Sequence, residues 1–213
     1  CLGVGFTGGW LGANYNQQNP SSSTPAVQRQ VISSEGDLIA SIASEVGQSV
    51  VSVDVSSQAQ TQDFFGFGQT VNQQSAGTGI IVSSDGVVIT NRHVVPKGTT
   101  SVSIVLADGT RLDNVEVIGR TNDTDSLDVA FLKIKDKKGK TLVPAKIGDS
   151  SKMKVGYRVV AIGNALGQYQ NTVTSGTLSG YGRDIVAGDA SGKSTETLSN
   201  LFQTDAAINE GNS

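Results

Sequence analysis

From Gly77 onward, apolar and polar residues alternate along short runs. The segment GTGIIVSSDGVVIT predicts two strands joined at Asp85-Gly86, and VSIVLADGTRLDNVEVIG predicts a second hairpin turning at Asp108-Gly109. The period of two recurs in DVAFLKIK, YRVVAIGN, NTVTSGTLSGYG and LFQTDAAI. Eight or more short strands separated by turn residues, with no long helix among them, predict an all-β fold, a barrel or a sandwich, and argue against a parallel α/β sheet. Upstream the period lengthens. Leu38, Ile39, Ile42 and Val46 fall at helical spacing behind Glu35 and Asp37, where acids suit a helix start, and Gly47 supplies a stop. The following SVVSVDV continues as a strand. Gln58 to Ala76 is polar around Phe64, Phe65 and Phe67 and reads as one long connection, either a mobile loop with an apolar tip or a contact with a neighbouring subunit or the rim of a site.

Nearer the amino end, Asn16 to Ser34 is polar, carries Pro20 and Pro25, and reads as a linker that buries too little surface to offset ordering entropy. The first fifteen residues, CLGVGFTGGWLGANY, hold no charge and do not begin with Met. Their run of about 13 apolar or small residues is short of the ~20 that span a bilayer, but Trp10 and Tyr15 at its polar exit resemble an interfacial aromatic belt. The preferred reading is the outer end of a membrane anchor; a disordered tail and a processed lipoprotein modified at Cys1 are the alternatives. The anchor and the lipoprotein both imply export.

Composition narrows the function classes. Only 16% of residues are charged and 26 are glycine, which suits short strands and many turns. A net charge of -3 and a pI near 5.1 provide no basic footprint for nucleic acid, and the one lysine run, KDKKGK at Lys135 to Lys140, reads as a solvated hairpin turn. Cys1 is the single cysteine, so no internal disulfide framework and no multi-cysteine metal site can form, and the single histidine argues against a protein-bound catalytic zinc.

That histidine, His93, ends a β run in VVITNRHVV, where hairpins on both sides can aim a general base. Taken alone, a lone histidine is more often structural. Asp128, in SLDVAFLKI, is surrounded by Leu127, Val129, Ala130, Phe131, Leu132 and Ile134, and a carboxylate in such company is costly to bury without a cation or hydrogen-bond donors. It could also cap the loop of its own strand. Asp123 and Asp125 read as turn residues, with Asp125 the runner-up by proximity. Ser213 follows Gly211 and Asn212; a serine hydroxyl is a poor nucleophile without a base, and most serines are merely solvated. The order His, Asp, Ser is that of the chymotrypsin arrangement, which the all-β expectation also suits.

GTGIIVSSDGVVITNRHVV, DSLDVAFLKI, VGYRVVAIGNALGQYQNTVTSGTLSGYGR and FQTDAAINEGNS, in this order from about Ser49 to Ser213, resemble the HtrA (Deg) family of exported, trypsin-like serine proteases. The resemblance implies a chymotrypsin-like double β-barrel: residues 35–135 as a helix plus the first barrel, and residues 136–213 as a partial second barrel behind the anchor remnant (1–15) and linker (16–34). It implies a serine endopeptidase of extracytoplasmic protein quality control that cleaves unfolded or damaged proteins. His93 would be the general base, Asp128 its orienting carboxylate and Ser213 the nucleophile, with the amides of Gly211 and Ser213 as the oxyanion hole and no metal or organic cofactor. Gly182 to Asn200 corresponds to the family's regulatory sensor loop, with Arg183 helping to order the site. The Phe64 to Phe67 segment corresponds to a loop that reaches a neighbouring subunit in some relatives, which supports a homo-oligomer, commonly a trimer. The family continues with Gly-Gly and further strands after this serine, so weak or absent peptidase activity is expected of residues 1–213 in isolation. The rival expectations are a non-catalytic peptide-binding or chaperone module and an inert β-domain in which the three side chains never meet.

Overall fold

The computed structural model describes residues 25–62, 68–164, 172–188 and 195–208. Contacts divide the chain into two compact units, residues 1–40 and 41–213. In the first, the described part is the leading portion of helix α1, Pro25–Val46. The helix starts ahead of the expected acidic pair, inside the segment that reads as linker. Ala26, Gln28, Arg29 and Gln30 favour helix, and Pro25 suits a first turn because the N–H it lacks would be unpaired there anyway. The stop falls where Gly47 predicts it, with a 3-10 turn over Gly47–Ser49. No helix among the described residues is long and apolar enough to cross a membrane. The anchor expected over residues 1–15 lies outside the described residues.

The larger unit is built of strands, as the alternation predicts. Seven form one antiparallel sheet in the order β5-β4-β1-β2-β3-β7-β6: β1 Val50–Gln62, β2 Gly68–Ile81, β3 Val87–Thr90, β4 Thr99–Val105, β5 Arg111–Leu112, β6 Val115–Arg120 and β7 Ala130–Ile134. Inward-facing Val51, Val53, Val55, Val88, Ile104, Leu112, Ala130, Leu132 and Ile134 form one buried cluster, and Val115 and Val117 of β6 pack on it, so the sheet curls into a nearly closed barrel. The turn between β2 and β3 depends on Gly86, which has φ of 104° and whose absent Cβ would lie 2.9 Å from the Ile134 carbonyl oxygen.

Three further strands, β8 Arg158–Gly163, β9 Thr172–Gly188 and β10 Thr195–Thr204, make a second antiparallel sheet in the order β10-β9-β8. Ala145 N, in the chain between β7 and β8, donates to Ile81 O (2.8 Å), and Asn164 N, just after β8, donates to Thr78 Oγ1 (2.9 Å).

Three expectations about loops are corrected. Gln58 to Ala76 is no loose connection: β1 and β2 stay in register from Val50↔Ile80 out to Gln62↔Gly68, forming a long ribbon whose backbone pairing needs no apolar alternation. Phe64, Phe65 and Phe67 lie outside the described residues. Gly182 to Asn200, expected as a loop, is for its described part a second ribbon, with Arg183 of β9 opposite Leu201 of β10. The lysine run follows β7 as a turn, with Lys138 and Gly139 at positive φ, but it joins no hairpin; Lys138 and Lys140 instead reach back to Asp113 and Asp108 (3.2 and 2.7 Å).

Candidate active site

β3 carries its chain out of the barrel at Thr90, whose hydroxyl donates to Thr78 O (2.8 Å). Asn91 follows in extended conformation, and residues Arg92–Val94 form a 3-10 turn. Val94 and Val95 are buried, and Gly77 of β2 leaves room for them, since a Cβ there would lie 2.5 Å from Val94 Cγ2. Ser75 Oγ donates to Val94 O (3.0 Å). The turn is thereby pinned on the far side of His93, whose side chain stays 67% exposed.

Asp128 arrives from the opposite direction, at the end of the loop between β6 and β7. Its side chain is 8% exposed. The two residues meet: His93 Nδ1 and Asp128 Oδ2 are 2.6 Å apart, and His93 N donates to Asp128 Oδ1 at 3.0 Å. An ionised carboxylate only accepts, so Nδ1 carries the proton and Nε2 is the nitrogen with a lone pair to offer. Asn91 Nδ2 also donates to Asp128 Oδ2 and to its carbonyl (both 3.1 Å), and Arg92 Nε lies 3.9 Å from Oδ1. Burial pushes the Asp128 pKa up, but hydrogen bonds from the His93 ring and backbone, with the His93 and Arg92 charges, outweigh it and bring the net value below the usual carboxylate range.

The rejected carboxylates have other partners. Asp125 Oδ2 accepts from Asn122 N (2.7 Å) within the loop, the turn role its sequence suggests. Asp123 pairs with Lys97 and Arg120 (2.7 and 2.8 Å).

Asp128 and Asn91 help to line a cleft of about 490 Å³ whose other walls include Ile80, Ile89, Val129, Val160 and Ile162. Its apolar walls give the carboxylate a low-dielectric side, where each hydrogen bond counts for more. Arg183 sits on the β9–β10 ribbon, where a Cβ on Gly180 would lie 3.3 Å from its Nε. Ser213 and Gly211 lie outside the described residues, so the structure brings together two of the three expected catalytic side chains. Sequence reasoning passed over Asn91 and Arg92. Their roles rest on contacts with the distant loop that carries Asp128, which no local pattern in TNRHVV shows.

Residues 77–213 match the family model of the trypsin-like peptidase domain. Over 137 residues (64% of this chain) the sequence is 44% identical to a probable periplasmic serine endoprotease DegP-like of Bartonella henselae, covering 24% of that protein. Over 149 residues (70% of this chain) it is 39% identical to the periplasmic serine endoprotease DegP of Escherichia coli (strain K12), covering 28% of it. The chain thus spans about a quarter of the length of these curated relatives. Among solved structures, the HtrA-type protease AlgW with a decapeptide superposes with a TM-score of 0.65 at 29% identity, covering 82% of this chain and 52% of that one. The crystal structure of Deg5 superposes at 0.60 and 29% identity, covering 84% and 77%.

Proposed function

This chain belongs to the HtrA/Deg family of trypsin-like serine proteases, and on that premise we propose that it contributes His93, Asp128 and Ser213 to a serine endopeptidase acting outside the cytoplasm on unfolded or damaged proteins. The observation that carries the proposal is the 2.6 Å contact between His93 Nδ1 and Asp128 Oδ2. It fixes the tautomer a general base needs and leaves Nε2 to take the Ser213 proton. As that proton moves to Nε2, Ser213 Oγ bonds to the scissile carbonyl carbon. The oxyanion is received by the Gly211 and Ser213 amides, and the protonated Nε2 then delivers its proton to the departing amine as the C–N bond breaks. Water, deprotonated by the same nitrogen, then attacks the acyl carbon, and Nε2 returns the proton to Ser213 Oγ as the acyl C–O bond breaks.

The relatives' names, periplasmic serine endoproteases, support an extracytoplasmic setting, and the decapeptide of the AlgW structure supports peptide substrates. Anchoring through residues 1–15, assembly into a homo-oligomer and a regulatory part for Arg183 belong to the same proposal.

Labelling of the full-length protein with a fluorophosphonate tests it. Labelling that is lost in both Ser213→Ala and His93→Ala supports the reading. Absence of labelling in a folded wild-type protein that still binds peptides would replace it with the non-catalytic peptide-binding module.

A further inference from the structure

Arg92, the residue before His93, is among the least exposed charged groups described: its side chain is 5% exposed. A guanidinium in that position is costly unless oxygens surround it. Five oxygens of the loop that delivers Asp128 lie around it. Nη1 donates to the carbonyls of Asn122, Asp125 (3.3 Å) and Leu127 (3.1 Å) and to Thr121 Oγ1 (3.3 Å), four acceptors shared by two hydrogens, while Nε faces Asp128 Oδ1 at 3.9 Å.

The loop has no apolar core of its own. No side chain from Asn122 to Leu127 is buried, and the one large apolar residue, Leu127, is 61% exposed. Its other ties are the short-range Thr121 N to Val129 O (3.0 Å), Thr121 Oγ1 to Leu127 O (2.6 Å) and Asp125 turn to Asn122, the exposed ion pairs of Asp123 with Lys97 and Arg120 (2.7 and 2.8 Å), and Asn91 Nδ2 to the Asp128 carbonyl (3.1 Å). Three carbonyls converging on one point repel each other unless a cation sits among them, and here the cation comes from the same 3-10 turn as His93.

We propose that Arg92 is a positioning residue that serves as the internal core of the 121–128 loop and so sets the distance between His93 and Asp128. The inference deepens the protease reading but does not stand or fall with it, because the His93–Asp128 hydrogen bond exists whether or not peptide is cut. A planar fork suits several carbonyls spread in space; a lysine offers the charge at one point only.

The test uses the full-length protein with Arg92→Met, Arg92→Lys and, as a control on the outer face of the loop, Lys97→Met. The first readout is the downfield proton resonance of the His93 Nδ1–H, assigned by its absence in His93→Ala. It is expected to be sharp in wild type and in Lys97→Met, shifted or broadened in Arg92→Lys, and lost in Arg92→Met. The second is peptide hydrolysis, where misplacement by about 1 Å lowers kcat about 100-fold for Arg92→Met with KM nearly unchanged, and less for Arg92→Lys. An unchanged resonance in a cooperatively folded Arg92→Met overturns the inference. Should that variant not fold, an unchanged resonance in Arg92→Lys overturns it. An inactive wild type with the resonance present and sensitive to Arg92 refutes the protease reading and leaves the positioning role standing.

Discussion

His93 Nδ1 and Asp128 Oδ2 are held 2.6 Å apart by chain segments 35 residues distant in sequence. The carboxylate is gripped at both oxygens, by the ring, by the His93 backbone N–H and by Asn91. Replacing it by the isosteric amide keeps the shape but presents an N–H or a weaker acceptor to Nδ1, which favours the wrong tautomer. In full-length protein, Asp128→Asn is expected to lower kcat about 10,000-fold while the protein still unfolds cooperatively, at a lower melting temperature because the stability contributed by the ionised carboxylate is lost. Peptide hydrolysis at neutral pH checks this, and a loss below about tenfold would remove Asp128 from the role proposed for it.

Leu132 is fully buried in β7, paired with Val88 on one side and Val117 on the other. Leu132→Ala is expected to cost about 2–5 kcal/mol in urea unfolding. Lys135→Ala, which breaks only the exposed contact with Glu116 (2.5 Å), is expected to cost no more than about 1 kcal/mol. Equal effects would show that β7 does not present Leu132 to the core.

The strands legible in the sequence are those with one face in the core. Val51, Val53 and Val55 alternate with Ser52, Asp54 and Ser56, and the turn at Asp85-Gly86 carries its own conformational signature. The outer half of the β1–β2 ribbon, rich in Gln and Asn, reads as loop in the sequence because no apolar alternation marks it as strand. Asp128 was legible from the cost of burying a carboxylate. Arg92 was not, because its meaning rests on where three carbonyls, 30 to 35 positions away, converge.

Acid should unfold the protein in a way that names its carboxylates. Asp128 titrates below its ordinary range, so the folded state binds fewer protons than the unfolded one near pH 4. The stability it contributes is present above the unfolded pKa and is lost as pH falls through the folded value. Asp85, Asp108 and Asp113 are also lowered, chiefly by hydrogen bonds from Lys133, Lys140 and Lys138, but all three are exposed and their share is screened by salt. Urea unfolding between about pH 5 and about pH 2 is expected to show a slope that about 1 M salt reduces only in part. The remainder should shrink in Asp128→Asn. A salt-resistant slope identical in that variant would show that Asp128 is not held as described.

The chain that leads toward Ser213 meets β9 through a backbone contact. Gly176 of β9 is buried so closely against the chain after β10 that a Cβ would overlap the backbone nitrogen of Ala206, 2.5 Å from Asp205 Oδ1 and 2.7 Å from Ala206 Cα. Main-chain atoms cannot swing aside as a side-chain tip can. Thr177 N and Thr174 Oγ1 fasten the same stretch, donating to Asp205 Oδ1 (2.6 Å) and Ala207 O (2.9 Å). Gly176→Ala therefore has to push residues 205–207 outward, and INEGNS follows directly. The stability cost is expected to be about 1–3 kcal/mol, whereas a displacement of about 1 Å carried to Ser213, the proposed nucleophile, would slow its fluorophosphonate labelling about 100-fold. Gly148→Ala, where nothing lies within 4 Å of the added methyl, is the matched control and should label at the wild-type rate. If folded Gly176→Ala labels as fast as the control, the contact at Ala206 does not govern where Ser213 sits, and the segment between them must take up the shift.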